Sequence, residues 1–225
     1  MPQKSPANSR SGDLMGSRYI TDYSRSEIES DPVLLRTMHE DRKSVFIDTL
    51  QWPLHARGAL EIDDFDHENA IYLAGKDGAG THTASIRLLD TEGTHMLADL
   101  FPFLCEGEIP RGPHIKEVTR YTPSPRAKAS ERLIWRNMMA HAVIEYGLAN
   151  GIQTYTAVCD ISFLNQLLAV GWRCDPLGMP QLVDGSLIGA FCFHVERDSI
   201  SKFNPNWRYP RRAYLASPAE MLHAA

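Results

Sequence analysis

The stretch Ile115-Lys116-Glu117-Val118-Thr119-Arg120-Tyr121 is predicted to form a β-strand, and it carries two charged residues that could serve one site. Its β-branched and aromatic residues favour a pleated, half-buried segment. Side chains alternate between the two faces of a strand, so Glu117 and Arg120 point to opposite faces if the strand is regular. Both can line one pocket only if a bulge or a strand end lies between them.

Upstream of this strand the sequence predicts a helix and a hairpin. An N-cap acid and a proline precede apolar residues that keep helical spacing from Val33 to about Leu50. Arg42 and Phe46 are four residues apart and therefore share one face of this helix. Two strands follow at about 70–74 and 84–89, joined by a glycine-containing turn.

Downstream of the strand, helices and strands follow one another in mixed order. The sequence predicts a long helix capped by Ser130 and ending near Asn150, a strand over 152–158, a helix over 162–170 and last strands over 181–183 and 187–195. Mixed order of this kind predicts an α/β or α+β sandwich in which helices flank a twisted, mostly antiparallel sheet.

The chain ends and the composition limit the class of protein. We expect residues 1–30 to be a flexible leader, residues 31–201 the folded domain and residues 202–225 a basic tail on the surface. A net charge of −5 argues against a nucleic-acid-binding surface. No segment has the pattern of a signal peptide or a membrane span. The four cysteines form no C-x-x-C pair and the nine histidines lack ligand spacing, so we expect a cytoplasmic protein without a metal.

Residues suited to a small zwitterionic ligand are scattered over the first half of the chain. They are Arg42, Phe46, Trp52, Asp63, Asp66, Arg87, Glu117 and Arg120. Arginines bind carboxylates, acids bind cations, and an aromatic face suits a sulfonium or an adenine. The alternative is a network of ion pairs that ties the N-terminal helix to the sheet.

In order and spacing these eight residues resemble those of the acyl-homoserine-lactone synthases, the LuxI-type autoinducer synthases. The neighbouring words Arg87-Leu88-Leu89, Phe101-Pro102 and Gly171-Trp172 also fit, and the resemblance extends from about Leu34 to Phe193. It implies the fold of the GCN5-related N-acetyltransferases, a three-layer sandwich whose mixed twisted sheet has a splayed central strand. A bulge near Val118–Arg120 is therefore expected.

The resemblance implies two substrates, S-adenosylmethionine and an acyl thioester, and no cofactor. The amine of S-adenosylmethionine attacks the thioester; its carboxylate then attacks the γ-carbon, closes the lactone and expels methylthioadenosine. The product is a diffusible quorum-sensing signal. The residues implied to bind S-adenosylmethionine are Arg42, Phe46, Trp52 and Phe101. The implied catalytic residues are Glu117 as general base, Arg87 and Arg120 near the carboxylate, and Asp63 and Asp66 near the amine or the arginines.

An apolar tunnel for the acyl chain and a basic patch for the acyl carrier complete the candidate site. The tunnel candidates are Leu104, Met138, Met139, Ala142, Val143, Asp160, Ile161 and Leu164. Plain core packing is the alternative for each of them, and Asp160 stands where some family members carry a threonine associated with 3-oxo chains. The basic residues at the start of the long helix are Arg126, Lys128, Arg132 and Arg136. They suit an acidic acyl carrier protein or the phosphates of coenzyme A, and an ordinary solvated face is the alternative.

Two other classes of function remain open. A coenzyme A-dependent N-acyltransferase of the same fold would acylate a different amine and release no methylthioadenosine. A non-catalytic relative would bind an acyl carrier without turnover. The acyl-chain length, the donor and the oligomeric state are not determined by the sequence.

Overall fold

A computed structural model describes residues 18–217 of the chain. The strands within this part are β1 (Ile20–Ser24), β2 (Ala56–Arg57), β3 (Leu60–Glu61), β4 (Ile71–Lys76), β5 (His82–Asp90), β6 (Ile115–Pro123), β7 (Thr154–Asp160), β8 (Cys174–Pro176), β9 (Gln181–Val183), β10 (Ser186–His194) and β11 (Tyr214–Leu215). The α-helices are α1 (Arg25–Glu29), α2 (Pro32–Arg42), α3 (Met96–Asp99), α4 (Ala129–Ala149), α5 (Ile161–Leu168) and α6 (Ser199–Lys202).

The predicted N-terminal helix is confirmed, with one addition. Asp31 caps α2 by accepting a hydrogen bond from the Leu34 amide at 3.1 Å, and Pro32 is the first helical residue. After Arg42 the chain continues as a π-helical segment, Lys43–Thr49. The predicted cap of the long helix is wrong, because α4 begins one residue after Lys128 and Ser130 lies inside its first turn.

One large sheet dominates the molecule, and its strand order is β11-β1-β4-β5-β6-β7-β10-β8, with β9 paired to β10. Two pairs of strands are parallel, β1 with β11 and β6 with β7, and the others are antiparallel. The predicted mixed and mostly antiparallel sheet is thus confirmed.

The two central strands separate after three paired residues. β6 and β7 pair only from Ile115 to Glu117 on the β6 side, although both strands continue further. The open wedge beyond Glu117 is the splay expected at this place. It leaves one edge of the second half of β6 free of sheet partners.

The expected bulge is also present in β6, at Arg120–Tyr121. On the neighbouring strand Arg87 pairs with Thr119 and Ser85 pairs with Thr122, so two steps along β5 correspond to three along β6. Arg120 takes a left-handed backbone conformation with φ of 54°, which is uncommon for a residue other than glycine. The extra residue turns the Arg120 side chain to the face that Arg87 and Thr119 share.

Helices cover both faces of the sheet and form a three-layer sandwich. α4 packs on one face, where its side chains and those of Leu73 and Ile86 form the main core. α1 and α2 pack on the other face, where Leu34 and Met38 meet Tyr72. Tyr72 and Leu73 are successive residues of β4 and belong to opposite faces, as the strand period requires.

The predicted flexible leader is wrong for residues 18–30. β1 pairs with β4 along its whole length, and the Ile20 side chain is fully buried. The sequence shows little sign of this strand because it contains few apolar residues and its inner polar groups are paired. Asp22 is one of them, since it accepts hydrogen bonds from the Tyr214 hydroxyl at 2.9 Å and the Ser217 amide at 2.8 Å. Residues 1–17 of the predicted leader lie outside the described part.

The predicted surface tail is likewise wrong for residues 202–217. Phe203, Trp207 and Tyr214 are buried in the main core, and β11 extends the sheet beside β1. Residues 218–225 lie outside the described part. The folded unit therefore begins before Asp31 and ends after Ser201.

Candidate active site

Three arginines and three carboxylates meet beside the bulge, and we call this cluster the charged ring. Its members come from five separate places in the chain: the end of α2, the end of β3, the loop after β3, β5 and the bulge of β6. They are Arg42, Glu61, Asp63, Asp66, Arg87 and Arg120. The sequence predicted five of the six.

Each arginine of the charged ring contacts at least two carboxylates. Arg42 forms a two-pronged pair with Asp66, at 2.7 and 3.0 Å, and its Nε donates to Glu61. Arg87 grips Asp63 in the same way and lies 2.9 Å from Asp66. Arg120 bonds Glu61 at 3.0 and 3.1 Å and reaches Asp63 at 2.6 Å. Because two-pronged arginine–carboxylate pairs fix direction as well as distance, the ring joins α2 rigidly to the sheet.

Glu61 is the ring member to which sequence reasoning gave no role. Its side chain is 1% exposed, and its two oxygens bridge Arg42 and Arg120. The one available signal was its place at the start of the acidic loop, two residues before Asp63.

Asp63 is the only ring member with substantial contact to solvent. Its side chain is 20% exposed, whereas the other five range from 1% to 5%. Burial works to raise the pKa of Asp63, but the Arg87 and Arg120 guanidiniums outweigh it and hold that pKa below its usual range. The same balance, with Arg42 and Arg87 as the cations, lowers the pKa of Asp66. Both acids are therefore ionised at neutral pH, and Asp63 offers the accessible negative charge.

An aromatic pair lies next to the charged ring. The rings of Phe46 and Trp52 stack with centroids 4.9 Å apart, and the Arg120 guanidinium lies 5.3 Å from the Phe46 centroid. Phe46 is buried and Trp52 is half-buried. The structure thus brings these two predicted residues together. It does not bring Phe101 to them, because Phe101 packs near Leu97 in a separate cluster.

Glu117 lies close to the charged ring but is held by backbone groups. Its carboxylate is fully buried and accepts one hydrogen bond from the Met96 amide and one from the Leu97 amide, both at 2.7 Å. Burial raises the pKa of Glu117 to about 7, although the two amides and Arg87 work in the opposite direction. The group can therefore gain and lose a proton near neutral pH.

Met96 and Thr119 also contact the ring arginines, and neither was predicted as a site residue. The Met96 sulfur lies 3.7 Å from Arg87 and 3.9 Å from Nη1 of Arg120. The Thr119 hydroxyl accepts a hydrogen bond from Arg87 Nε at 3.0 Å. A thioether is a weak acceptor, so Nη1 of Arg120 has a strong acceptor to gain.

An apolar pocket of about 340 Å³ lies between α5 and the β8–β9 loop, and two predicted tunnel residues line it. They are Ile161 and Leu164, next to Leu177, Met179 and Phe191, which the sequence did not indicate.

The other tunnel candidates lie elsewhere. Four residues of α4 pack in the main core, as the alternative interpretation had it: Met138, Met139, Ala142 and Val143. Leu104 is buried in the cluster with Leu97 and Ala190. The Asp160 side chain caps α5 by accepting from the Ser162 amide at 2.7 Å.

The predicted basic patch is largely engaged within the protein. Arg126 forms a two-pronged pair with Asp41. Arg132 donates to the Ala127 carbonyl at 2.7 Å, and the Arg136 guanidinium lies 3.5 Å from the centroid of a Trp207 ring. Lys128 is exposed. The four cations do not form one free surface.

No helix in residues 18–217 is long and apolar enough to cross a membrane. The same residues contain no cluster of three or more histidine, cysteine or acidic side chains that could hold a metal ion.

A mixed sheet splayed at its centre, helices on both faces and a charged ring beside the splay define an acyltransferase of the GCN5-related kind. The autoinducer synthase family model matches residues 24–203, and the chain belongs to this family. An acyl-homoserine-lactone synthase of Pseudomonas aeruginosa is 32% identical over 156 residues, which cover 67% of this chain and 77% of that protein.

Solved structures agree on the fold. A CoA-dependent acyl-homoserine lactone synthase solved with SAM and isopentyl-CoA superposes with a TM-score of 0.80 at 23% identity, over 89% of this chain and 94% of that one. An acyl-CoA N-acyltransferase from Pseudomonas aeruginosa superposes with a TM-score of 0.55 at 15% identity, over 78% of this chain and 99% of that one. The predicted family, fold and class of enzyme are confirmed.

Proposed function

We propose that this chain transfers an acyl group from a thioester to the amine of S-adenosylmethionine, closes the lactone and releases methylthioadenosine. The observation that carries the proposal is the charged ring beside the stacked Phe46 and Trp52. A zwitterionic substrate with an adenine and a sulfonium needs a charged cluster and an aromatic wall close together. Family membership supports this pairing of substrates.

Asp63 is our candidate for the group that receives the substrate amine. It is the exposed carboxylate of the ring and is ionised at neutral pH. The substrate carboxylate is assigned to Arg120, whose Nη1 contacts only a thioether sulfur among the described residues. Amine and carboxylate of one amino acid would then bind to neighbouring members of the ring, as a near-attack geometry requires.

Glu117 is our candidate for the general base of the first step. Its pKa of about 7 matches a group that takes a proton from an ammonium near neutral pH. Because the carboxylate is buried against the Met96 and Leu97 amides, this role requires the start of α3 to move when the substrates bind. If α3 does not move, Glu117 positions Met96 instead.

The acyl chain is assigned to the apolar pocket lined by Ile161 and Leu164. Either an acyl carrier protein or coenzyme A can deliver it, since Lys128 and the half-exposed Arg126 are the accessible cations near the start of α4. All four cysteines are free thiols, which favours a reducing compartment such as the cytoplasm.

The test is a mass-spectrometric assay of the purified chain with S-adenosylmethionine and a panel of acyl-carrier and acyl-coenzyme A thioesters. We expect methylthioadenosine and an acyl-homoserine lactone in equal amounts. Asp63→Asn should abolish both products, while the control Asp64→Asn in the same loop, at an exposed position, should retain them. Release of the thiol without methylthioadenosine would show that a different amine is the acceptor. Loss of activity in neither variant would remove Asp63 from the site.

A further inference from the structure

A second pocket, of about 620 Å³, lies at the end of the sheet away from the apolar pocket. Its walls are the turn between β4 and β5, the loop after β6 and the first turns of α4. No member of the charged ring lines it. We call it the turn pocket, and neither the family reaction nor the proposed substrates use it.

Three cations line the turn pocket, and each is held in place. Lys76 pairs with Asp31 at 2.6 Å, and Arg126 forms its two-pronged pair with Asp41. Arg18 lies over the Trp135 ring, 5.7 Å from its centroid. Asp31 and Asp41 hold two of these cations from outside the pocket lining. The cations are therefore fixed before a ligand arrives.

Two carboxylates also line the turn pocket, and each is engaged with backbone amides. Asp77 accepts from the amides of Ala79 and Thr81, both at 2.9 Å, and Glu131 accepts from the Lys128 amide at 3.2 Å. Three cations against two acids leave the lining with an excess positive charge. An anion is thus the favoured kind of ligand.

A buried hydroxyl in the wall gives an independent indication of a ligand. Thr83 is 8% exposed and lines the pocket, yet its hydroxyl has no hydrogen-bond partner within residues 18–217. The hydroxyl lies beside the Trp135 indole above Gly75, where a Cβ atom would be 2.9 Å from the hydroxyl and 2.6 Å from the ring. A buried donor without an acceptor is unfavourable, and an anionic oxygen in the pocket would supply the acceptor.

We propose that the turn pocket binds a phosphate monoester of about nucleotide size. Arginine and lysine are the preferred donors to phosphate, and a hydroxyl adds a short bond to a phosphate oxygen. The pocket volume is in the range of small-molecule sites and exceeds what one phosphate group fills. The Trp135 ring gives the organic part of the ligand an apolar wall.

Calorimetric titration of the full chain, without S-adenosylmethionine or thioester, tests the proposal. The probes are adenosine monophosphate, inorganic phosphate and adenosine. We expect adenosine monophosphate to bind more tightly than phosphate, and adenosine not to bind. Thr83→Val keeps the shape of the side chain and should weaken nucleotide binding about tenfold, as loss of a hydrogen bond to a charged group does. Arg18→Gln should weaken it at least as much.

Two controls separate binding from folding. Arg36→Gln removes one exposed arginine on α2 and should leave the affinity unchanged. Thr83→Val should melt no lower than the wild type, because the hydroxyl that it removes has no partner. The proposal is overturned if adenosine monophosphate does not bind at millimolar concentration, if adenosine binds equally well, or if Thr83→Val and Arg18→Gln bind it as the wild type does.

Discussion

Replacing Glu61 with glutamine should unfold the charged ring at its centre. The side chain is 1% exposed, and it bridges the guanidiniums of Arg42 and Arg120. Glutamine has the same shape but one acceptor oxygen, and its amide nitrogen would face a guanidinium N–H. Two buried cations would then share one carboxylate fewer.

The expected loss follows from the contacts that remain. Removing one partner of a buried ion pair costs about 3 to 5 kcal/mol. Arg42 keeps its two-pronged pair with Asp66 and Arg120 keeps Asp63, so we expect the lower end, about 3 kcal/mol. For a chain of 225 residues that loss corresponds to a fall in Tm of about 6 to 12 °C.

The assay is thermal unfolding followed by circular dichroism, with urea denaturation as a second measure of the free energy of unfolding. Asp64→Asn is the matched control, because it removes the same charge from an exposed residue of the same loop and should shift Tm by less than about 2 °C. If Glu61→Gln melts within that margin of the control, the ring does not hold α2 to the sheet and the reasoning is refuted.

Three further outcomes are expected. The rate of methylthioadenosine formation should rise as the pH increases through about 7, since Glu117 must be ionised to accept a proton; a flat profile from pH 6 to 8 would exclude it as the base. Glu117→Gln should lower that rate about 10²- to 10⁴-fold while calorimetry shows S-adenosylmethionine still bound. Trp52→Ala should weaken S-adenosylmethionine binding about threefold to tenfold and Trp52→Phe much less; equal affinities would contradict the aromatic wall. Leu164→Ala should shift the acyl chains found by mass spectrometry to longer ones, and the core control Met138→Leu should not; the reverse pattern would move the acyl site into the core.

The bulge in β6 shows how far sequence reasoning reached. The spacing of Glu117 and Arg120 required a break in the strand if both were to serve one site, and the register shift lies within a residue of the place expected. The wish to place two charges on one face was correct for Arg120. Glu117 reaches the same region but is bound to backbone amides, a partner that no side-chain pattern indicates.

The acyl pocket shows where that reasoning failed. Apolar residues of α4 satisfied the pattern expected for a tunnel and for a core equally well, because both need buried aliphatic side chains. The structure places Met138 and Val143 in the core and builds the pocket from α5, the β8–β9 loop and β10. Contacts between such distant segments leave no local periodicity in the sequence.

The sequence by itself determined the main helices, the hairpin, the central strand and, through five of its six members, the composition of the charged ring. Those features depend on local spacing and on residue types that suit one chemistry. Only the tertiary structure decided that Glu61 completes the ring and that β1 and β11 pair at the edge of the sheet. Asp22 and Tyr214 are hydrogen-bonded across 192 residues of chain. A pairing over such a distance is selected by the packing of the whole sheet, because neither short segment can form a stable strand alone.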